Sequence, residues 1–304
     1  MAPPGARDAD STVDPAGAPV RNRPRRATAG RRPSGTVGGM TSDRVLVSVE
    51  HHVGHVRLNR PEKRNGLDVA MFEALVAAGD RLAREPGVRA VVLSGNGSAF
   101  CAGLDWAAFM ALGAEGPARL LARPEGRRDN LAQRVSRVWA DLPVPVVAAL
   151  HGVAFGGGLQ IALGADLRYA HPATQLSVME IRYGLIPDMG LTTLLPRLVR
   201  DDVARELTFT GRRVSGEEAA RLGLVTRACD DPLEAALETA RAIAAQAPRA
   251  VRAAKRLLDE TRGLDVAAAL AMEADVQRTL LMQPEQMEAV MAVMEKRAAS
   301  FDDP

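Results

Sequence analysis

The stretch "HGVAFGGGLQIALGADLR", His151 to Arg168, constrains the fold more than any other. An apolar run leads into three consecutive glycines, Gly156 to Gly158, and a helix-like pattern follows at once. A strand that turns through glycines into a helix presents backbone N–H groups to an anion. Glycine lets the chain approach closely and adopt positive φ. The first N–H groups of the helix have no internal partner, and the helix dipole favours negative charge beside them. No Gly-Lys-Ser/Thr follows and the spacing is not GxGxxG, so neither a phosphate loop nor a dinucleotide fingerprint fits. Tight helix–strand packing is the competing reading of the glycines.

A second loop of the same kind lies upstream. "GSAFCAGLDW" follows the buried-strand pattern "AVVLSG" and ends where Asp105 can cap a short helix. Two strand-to-helix junctions in one fold can aim two N–H groups at one point, which is what stabilisation of an oxyanion needs. Around these loops the chain alternates strands and helices. "RVLVSVE" and "VGHVRLN" read as a strand pair, Asp68 caps a helix to about Arg84, and "VRAVVLSG" is a buried strand. Residues 113 to 124 carry Gly and Pro and read as a mobile loop. A helix to about Asp141, the strand "PVPVVAALHG", a helix over 157–163 and the strand "ADLRYA" follow. "QLSVMEIRYGLIPDMG" reads as irregular, and helices dominate after Thr192. This order predicts an α/β core with crossover connections and a helical C-terminal part.

Composition narrows the function classes. The chain has 304 residues and a net charge of +2, which gives no reason to expect nucleic acid or a membrane surface as partner. Two cysteines, Cys101 and Cys229, exclude a disulfide framework and a CxxC zinc site, and suit a cytoplasmic setting. Cys101 has no matching His context and reads as a small buried thiol. Residues 1–40 are rich in Arg, Pro and Gly and lack Leu, Ile and Phe, so they read as a disordered tail. Met40 opens the first globular-looking stretch. The expected division is a tail over 1–40, a core over 41–236 and a helical oligomerisation region over 237–304.

Four segments, "RPEKRNGLD", "GSAFCAGLDW", "HGVAFGGGLQIALGADLRYA" and "GLIPDMGLTTLLPRLV", resemble in unbroken order the motifs of the crotonase, or enoyl-CoA hydratase/isomerase, superfamily. The resemblance runs from about residue 43 to the end. It implies a crotonase-like spiral of ββα units with a helical C-terminal trimerisation region, and a homotrimer or dimer of trimers. It implies an acyl-CoA substrate and no separate cofactor, because coenzyme A enters as part of the thioester. The Leu104 and Gly157 N–H groups would be the oxyanion donors. Lys63, Arg64 and Gly66 would line the coenzyme A cleft, with the adenine end near Ala102, Gly103, Leu104, Asp105 and Trp106. Lys296 would reach coenzyme A phosphate groups, often those of a neighbouring subunit.

The resemblance also locates the acids. Hydratases of the superfamily use two glutamates on one water; here those positions hold Gln160 and Glu180. An amide cannot usefully transfer a proton near neutral pH, although Gln160 can orient a water. Asp188 stands where the dienoyl-CoA isomerase branch places an aspartate facing the glutamate. Double-bond isomerisation through Glu180 and Asp188 is therefore the favoured mechanism. Hydration of a 2-enoyl-CoA and non-catalytic acyl-CoA binding are the alternatives.

Overall fold

The computed structural model describes residues 44–303. The expected disordered tail over 1–40 lies outside the described residues. The chain begins with β1 (Val45–Glu50) and β2 (Val53–Leu58), an antiparallel hairpin, and then α1 (Val69–Leu82). Asp68 caps α1 by accepting the Met71 N–H, as its position predicts. β3 (Ala90–Gly95), α2 (Trp106–Ala111), α3 (Glu115–Leu121) and α4 (Leu131–Ala140) follow. Next come β4 (Val146–Leu150), β5 (Val153–Phe155), α5 (Gly157–Leu163), β6 (Leu167–Ala170) and β7 (Gln175–Ser177). A 3₁₀ turn over Glu180–Tyr183 leads to α6 (Leu191–Leu194), α7 (Asp201–Thr210), β8 (Val214–Ser215), α8 (Gly216–Leu222) and β9 (Arg227–Ala228). The rest is helical: α9 (Pro232–Ala244), α10 (Pro248–Glu260), α11 (Val266–Leu280) and α12 (Pro284–Glu295).

Two sheets result. The larger has the order β1-β2-β3-β4-β6-β9, parallel from β2 onward, and the smaller has the order β5-β7-β8. Single bridges, Leu67 with Leu104 and Cys101 with Ala154, extend the second layer. Each pass of the chain thus adds a strand to the large sheet, a shorter extended piece to the second layer, and a helix. That repetition is the spiral of ββα units.

Strands of a parallel sheet covered on both faces are apolar throughout, which explains the unbroken "AVVL" and "VVAAL". Val91, Leu93, Val146, Ala148 and Leu150 point into the main core with α1, α4 and α5. The alternate set, Ala90, Val92, Val147 and Ala149, faces Ala236, Ala240 and Ala244 of α9. Their four-residue spacing puts these alanines on one helix stripe, and their small side chains let α9 lie close to the sheet. The expected division at 236/237 therefore falls inside α9, a helix of the core, and is corrected here.

The expected loop over 113–124 contains α3. Pro117 sits in its first turn, where a missing N–H is tolerated, and Leu120 is buried beneath it. Beyond α9 the helices expose apolar side chains. α11 buries no residue and α12 buries only Ala292 within one chain. Among the described residues no helix is long and apolar enough to cross a membrane.

Candidate active site

Three segments meet at the end of the second layer. Asn65 is fully buried and organises the first: its side-chain amide donates to the carbonyls of Asn96, Ala99 and Phe100 at 2.9, 2.8 and 3.1 Å, and its Oδ1 accepts the Arg60 N–H at 2.8 Å. Arg64 and Asn65 have φ of 48° and 56°, the left-handed turn that lets the segment double back. The Leu67 N–H then donates to Gly103 O at 2.8 Å and the Asp105 N–H to Leu67 O at 3.0 Å. On the other side Cys101 N–H donates to Val153 O, and Phe155 N–H to Cys101 O, each at 3.1 Å. The "AFCAG" loop is therefore an extended piece held between the Leu67 segment and β5. The Leu104 N–H makes no hydrogen bond among the described residues. The Gly157 N–H, at the first position of α5, has no partner within the helix.

The three glycines have three different causes. Gly156 has φ 52° and ψ −121°, and a Cβ there would lie 3.3 Å from Glu180 Oε1. A Cβ at Gly157 would lie 2.7 Å from Met189 Sδ and 2.9 Å from Leu67 Cδ1. A Cβ at Gly158 would strike the Cys101 carbonyl oxygen at 2.6 Å. Close packing thus accounts for the missing side chain at Gly157 and Gly158, and a positive φ for that at Gly156. The two loops also touch: a Cβ at Gly103 would lie 2.7 Å from Phe155 O and 3.9 Å from the Gly157 nitrogen.

A cavity of about 290 Å³ opens over this junction. Ala102, Gly103 and Leu104 line it from one loop, and Gly156 and Gly157 from the other. Phe72, Leu120 and Ala132 form a buried apolar end. On its wall Trp106 packs against Tyr183 with ring centroids 4.9 Å apart and planes tilted by 38°, and Trp106 meets Phe109 edge-on at 6.3 Å. Glu180, Asp188 and Met189 complete the wall.

Both acids sit in this largely apolar setting. Burial raises the Glu180 carboxyl above the usual carboxylate range; nearby backbone N–H groups and the Gln160 amide pull it down, and the charge of Asp188 pushes it up. Burial likewise raises Asp188. The two groups therefore share one cavity, and Glu180 senses the charge of Asp188.

Gln160 departs from expectation. It is 1% exposed and does not line the cavity. Its Nε2 donates to Glu180 Oε1 at 2.6 Å and its Oε1 accepts the Met189 N–H at 2.9 Å. Both ends are engaged, so the expected water-orienting position is corrected: α5 carries the amide behind Glu180, not beside the substrate space.

The remaining expected positions divide. Ala102, Gly103, Leu104, Trp106 and Gly157 line the cavity; Lys63, Arg64, Gly66, Asp105 and Lys296 do not. Lys63 and Arg64 are exposed at the turn before Asn65. Asp105 caps α2 through Ala108 N–H and pairs with Arg60 at 2.7 Å, and these contacts hold its carboxyl low. Lys296 is exposed at the end of α12, away from the cavity of its own chain. Cys101 is buried, donates to Asn65 O at 3.1 Å, and burial pushes its thiol up to about 12, which suits packing and not nucleophilic attack. Sequence reasoning missed Asn65 and Met189. The turn dipeptide Asn65-Gly66 is a signal for the first; nothing local marks the second.

Comparison with known proteins bears on the family and the fold. The family model described as enoyl-CoA hydratase/isomerase matches residues 48–304. The chain is 33% identical over 267 residues to the mitochondrial Delta(3,5)-Delta(2,4)-dienoyl-CoA isomerase of Mus musculus, covering 83% of this chain and 79% of that protein. It is 32% identical over 268 residues to enoyl-CoA hydratase EchA19 of Mycobacterium tuberculosis, covering 85% and 96%. The crystal structure of enoyl-CoA hydratase from Bacillus anthracis superposes with a TM-score of 0.79 at 31% identity, covering 85% and 98%. Strand-to-helix loops joined over an acid-bearing cavity, on a ββα spiral shared with solved hydratases, place this chain in the crotonase, or enoyl-CoA hydratase/isomerase, family.

Proposed function

We propose that the protein shifts a double bond in an enoyl-CoA thioester. In this reading Glu180 takes the proton from the carbon next to the thioester. The electron pair moves onto the thioester oxygen, and the enolate accepts hydrogen bonds from the Leu104 and Gly157 N–H groups. Asp188, starting protonated, returns a proton at the far carbon of the conjugated system. The two acids have then exchanged protonation states, and proton exchange with water resets them. Coenzyme A arrives with the acyl group, so this reading needs no further cofactor.

The observation that supports it most is the pairing of acids. Glu180 and Asp188 line one cavity, and burial raises both carboxyls, so each holds a proton more readily than an exposed carboxyl would. Gln160, the position needed for a second hydratase glutamate, is engaged behind Glu180. Incubation with crotonyl-CoA, 3-enoyl-CoA and 3,5-dienoyl-CoA, with products resolved by mass and absorbance, tests it. Isomerisation leaves the mass unchanged; hydration adds a water. A second reading, hydration of a 2-enoyl-CoA, draws on Glu180 Oε2, which is buried without a hydrogen-bond partner among the described residues and so keeps its acceptor capacity uncommitted. Turnover of none of the three thioesters would leave acyl-CoA binding as the function.

A further inference from the structure

The Gln160 amide has a polarity that its neighbours dictate. A backbone N–H can only donate, so the Gln160 atom 2.9 Å from Met189 N must be the oxygen. The other end of the amide is then the NH₂ group, and it must donate to Glu180 Oε1 at 2.6 Å. Turning the amide over would set two donors face to face at Met189, so its orientation follows from chemistry. Glu180 Oε1 is consequently confined to accepting. Gly156, which has no side chain, closes over the same oxygen. Oε2 is the carboxyl oxygen left without a hydrogen bond among the described residues.

We infer that Gln160 is a positioning residue that restricts proton transfer by Glu180 to a single oxygen, Oε2. A proton on Oε1 would leave Gln160 only the poorer acceptor of a hydroxyl oxygen, which favours Oε2, the uncommitted oxygen, as the one that takes up the proton. The same amide ties Glu180 to the backbone of Met189, the neighbour of Asp188, and so fixes the spacing between the two acids. A glutamate at position 160 cannot do this: protonated, it competes for the shared proton, and ionised, it repels Glu180. The inference rests on the proposal that Glu180 moves the substrate proton, and it adds which oxygen does so and what selects it.

Loss of the donor would leave the Glu180 carboxylate less stabilised. A hydrogen bond to a charged group corresponds to about one to two pH units in a titration midpoint. Among charged side chains, including Arg182 on its own turn and those of α7 packed against that turn, Asp188 is the one that acts on Glu180. The midpoint therefore reports mainly on Gln160 and Asp188.

The test is a pH titration of wild type, Gln160→Met and Gln160→Glu. Two readouts are followed: the acid limb of kcat/KM on whichever thioester turns over, and the ¹³C carboxyl signal of Glu180, assigned by its loss in Glu180→Gln. The expected result for Gln160→Met is a rise of both midpoints by about one pH unit or more, with KM nearly unchanged because Gln160 does not line the cavity. For Gln160→Glu a two-step titration is expected, as for two carboxyls sharing a proton. A folded Gln160→Met protein with unmoved midpoints would overturn the inference, as would a single wild-type-like step in Gln160→Glu. The carboxyl signal needs no turnover, so failure of the proposed reaction and failure of this inference are read separately.

Discussion

Replacing Gly157 by alanine separates the backbone role of the glycine run from its packing role. The added Cβ would lie 2.7 Å from Met189 Sδ and 2.9 Å from Leu67 Cδ1. Ordinary contact begins at 3.4 Å, so the sulfur must retreat by about 0.7 Å. Both atoms are far ends of side chains, and the methionine is flexible, so the overpacking cost falls near the low end of about 1–3 kcal/mol. Gly157 is not in the left-handed region, so no backbone strain is added. The effect on rate should be larger. A displacement of roughly 1 Å at a positioned group costs about 10²-fold, and loss of an oxyanion donor about 10²–10³-fold. We expect kcat on 3,5-dienoyl-CoA to fall about 100-fold, or about 2.7 kcal/mol in the barrier, with a melting temperature only slightly lowered. Gly158→Ala is the control. There the new Cβ meets the Cys101 carbonyl oxygen at 2.6 Å, and backbone must move, so stability should fall well below that of Gly157→Ala. Steady-state kinetics and thermal melts of both variants decide the matter. A folded Gly157→Ala protein with kcat within about twofold of wild type would remove Gly157 from the oxyanion site.

Three further outcomes follow from the same geometry. Glu180→Gln keeps the Gln160 contact but cannot accept a proton, so turnover should fall by about 10²–10⁴-fold or more. The folded state raises the Glu180 carboxyl above 4.5, so it holds a proton that the unfolded chain releases, and wild-type stability drops as pH climbs from 4.5 through the raised value. Glu180→Gln should therefore melt higher than wild type at pH 7, and melts below pH 4.5 should show that gain vanish. Asp188→Asn should abolish dienoyl isomerisation while leaving any hydration of crotonyl-CoA largely intact; equal retention of both activities would remove Asp188 from the mechanism. Val266, Met282, Val293 and Met294 on and beside α11 and α12 are each more than two-thirds exposed in one chain, so light scattering should give a particle of trimer mass or a multiple of it.

How far the sequence reached varies by element, for physical reasons. Caps and glycines act locally, so Asp68, Asp105 and the start of α5 at Gly157 were legible. The strands β5 and β7 have three residues each, too few for alternation to register. α3 follows Ala114 at the N-cap position, which offers no side-chain cap, and carries Gly116 and Pro117 in its first turn, so its composition reads as a loop. The α9 alanines repeat every four residues, yet only the sheet shows which surface they cover. Glu180 and Asp188 were singled out by motif, and both line the cavity. The destination of Gln160 was not, because it depends on a backbone N–H twenty-nine residues away that no side-chain pattern records.

The contact of Gly158 with Cys101 and of Gly103 with Phe155 has a consequence for how such a chain can diversify. At Gly103 and Gly158 the neighbours are main-chain atoms, so a side chain at either position would disturb the junction between the two loops. The opposite side of the cavity, from Trp106 to Leu121, lies on two short helices joined by a glycine turn. Length, bulk and polarity can change there while the floor stays as it is. Retuning this protein toward other acyl groups is therefore a matter of rebuilding one wall of six to seven residues per helix over an unchanging foundation.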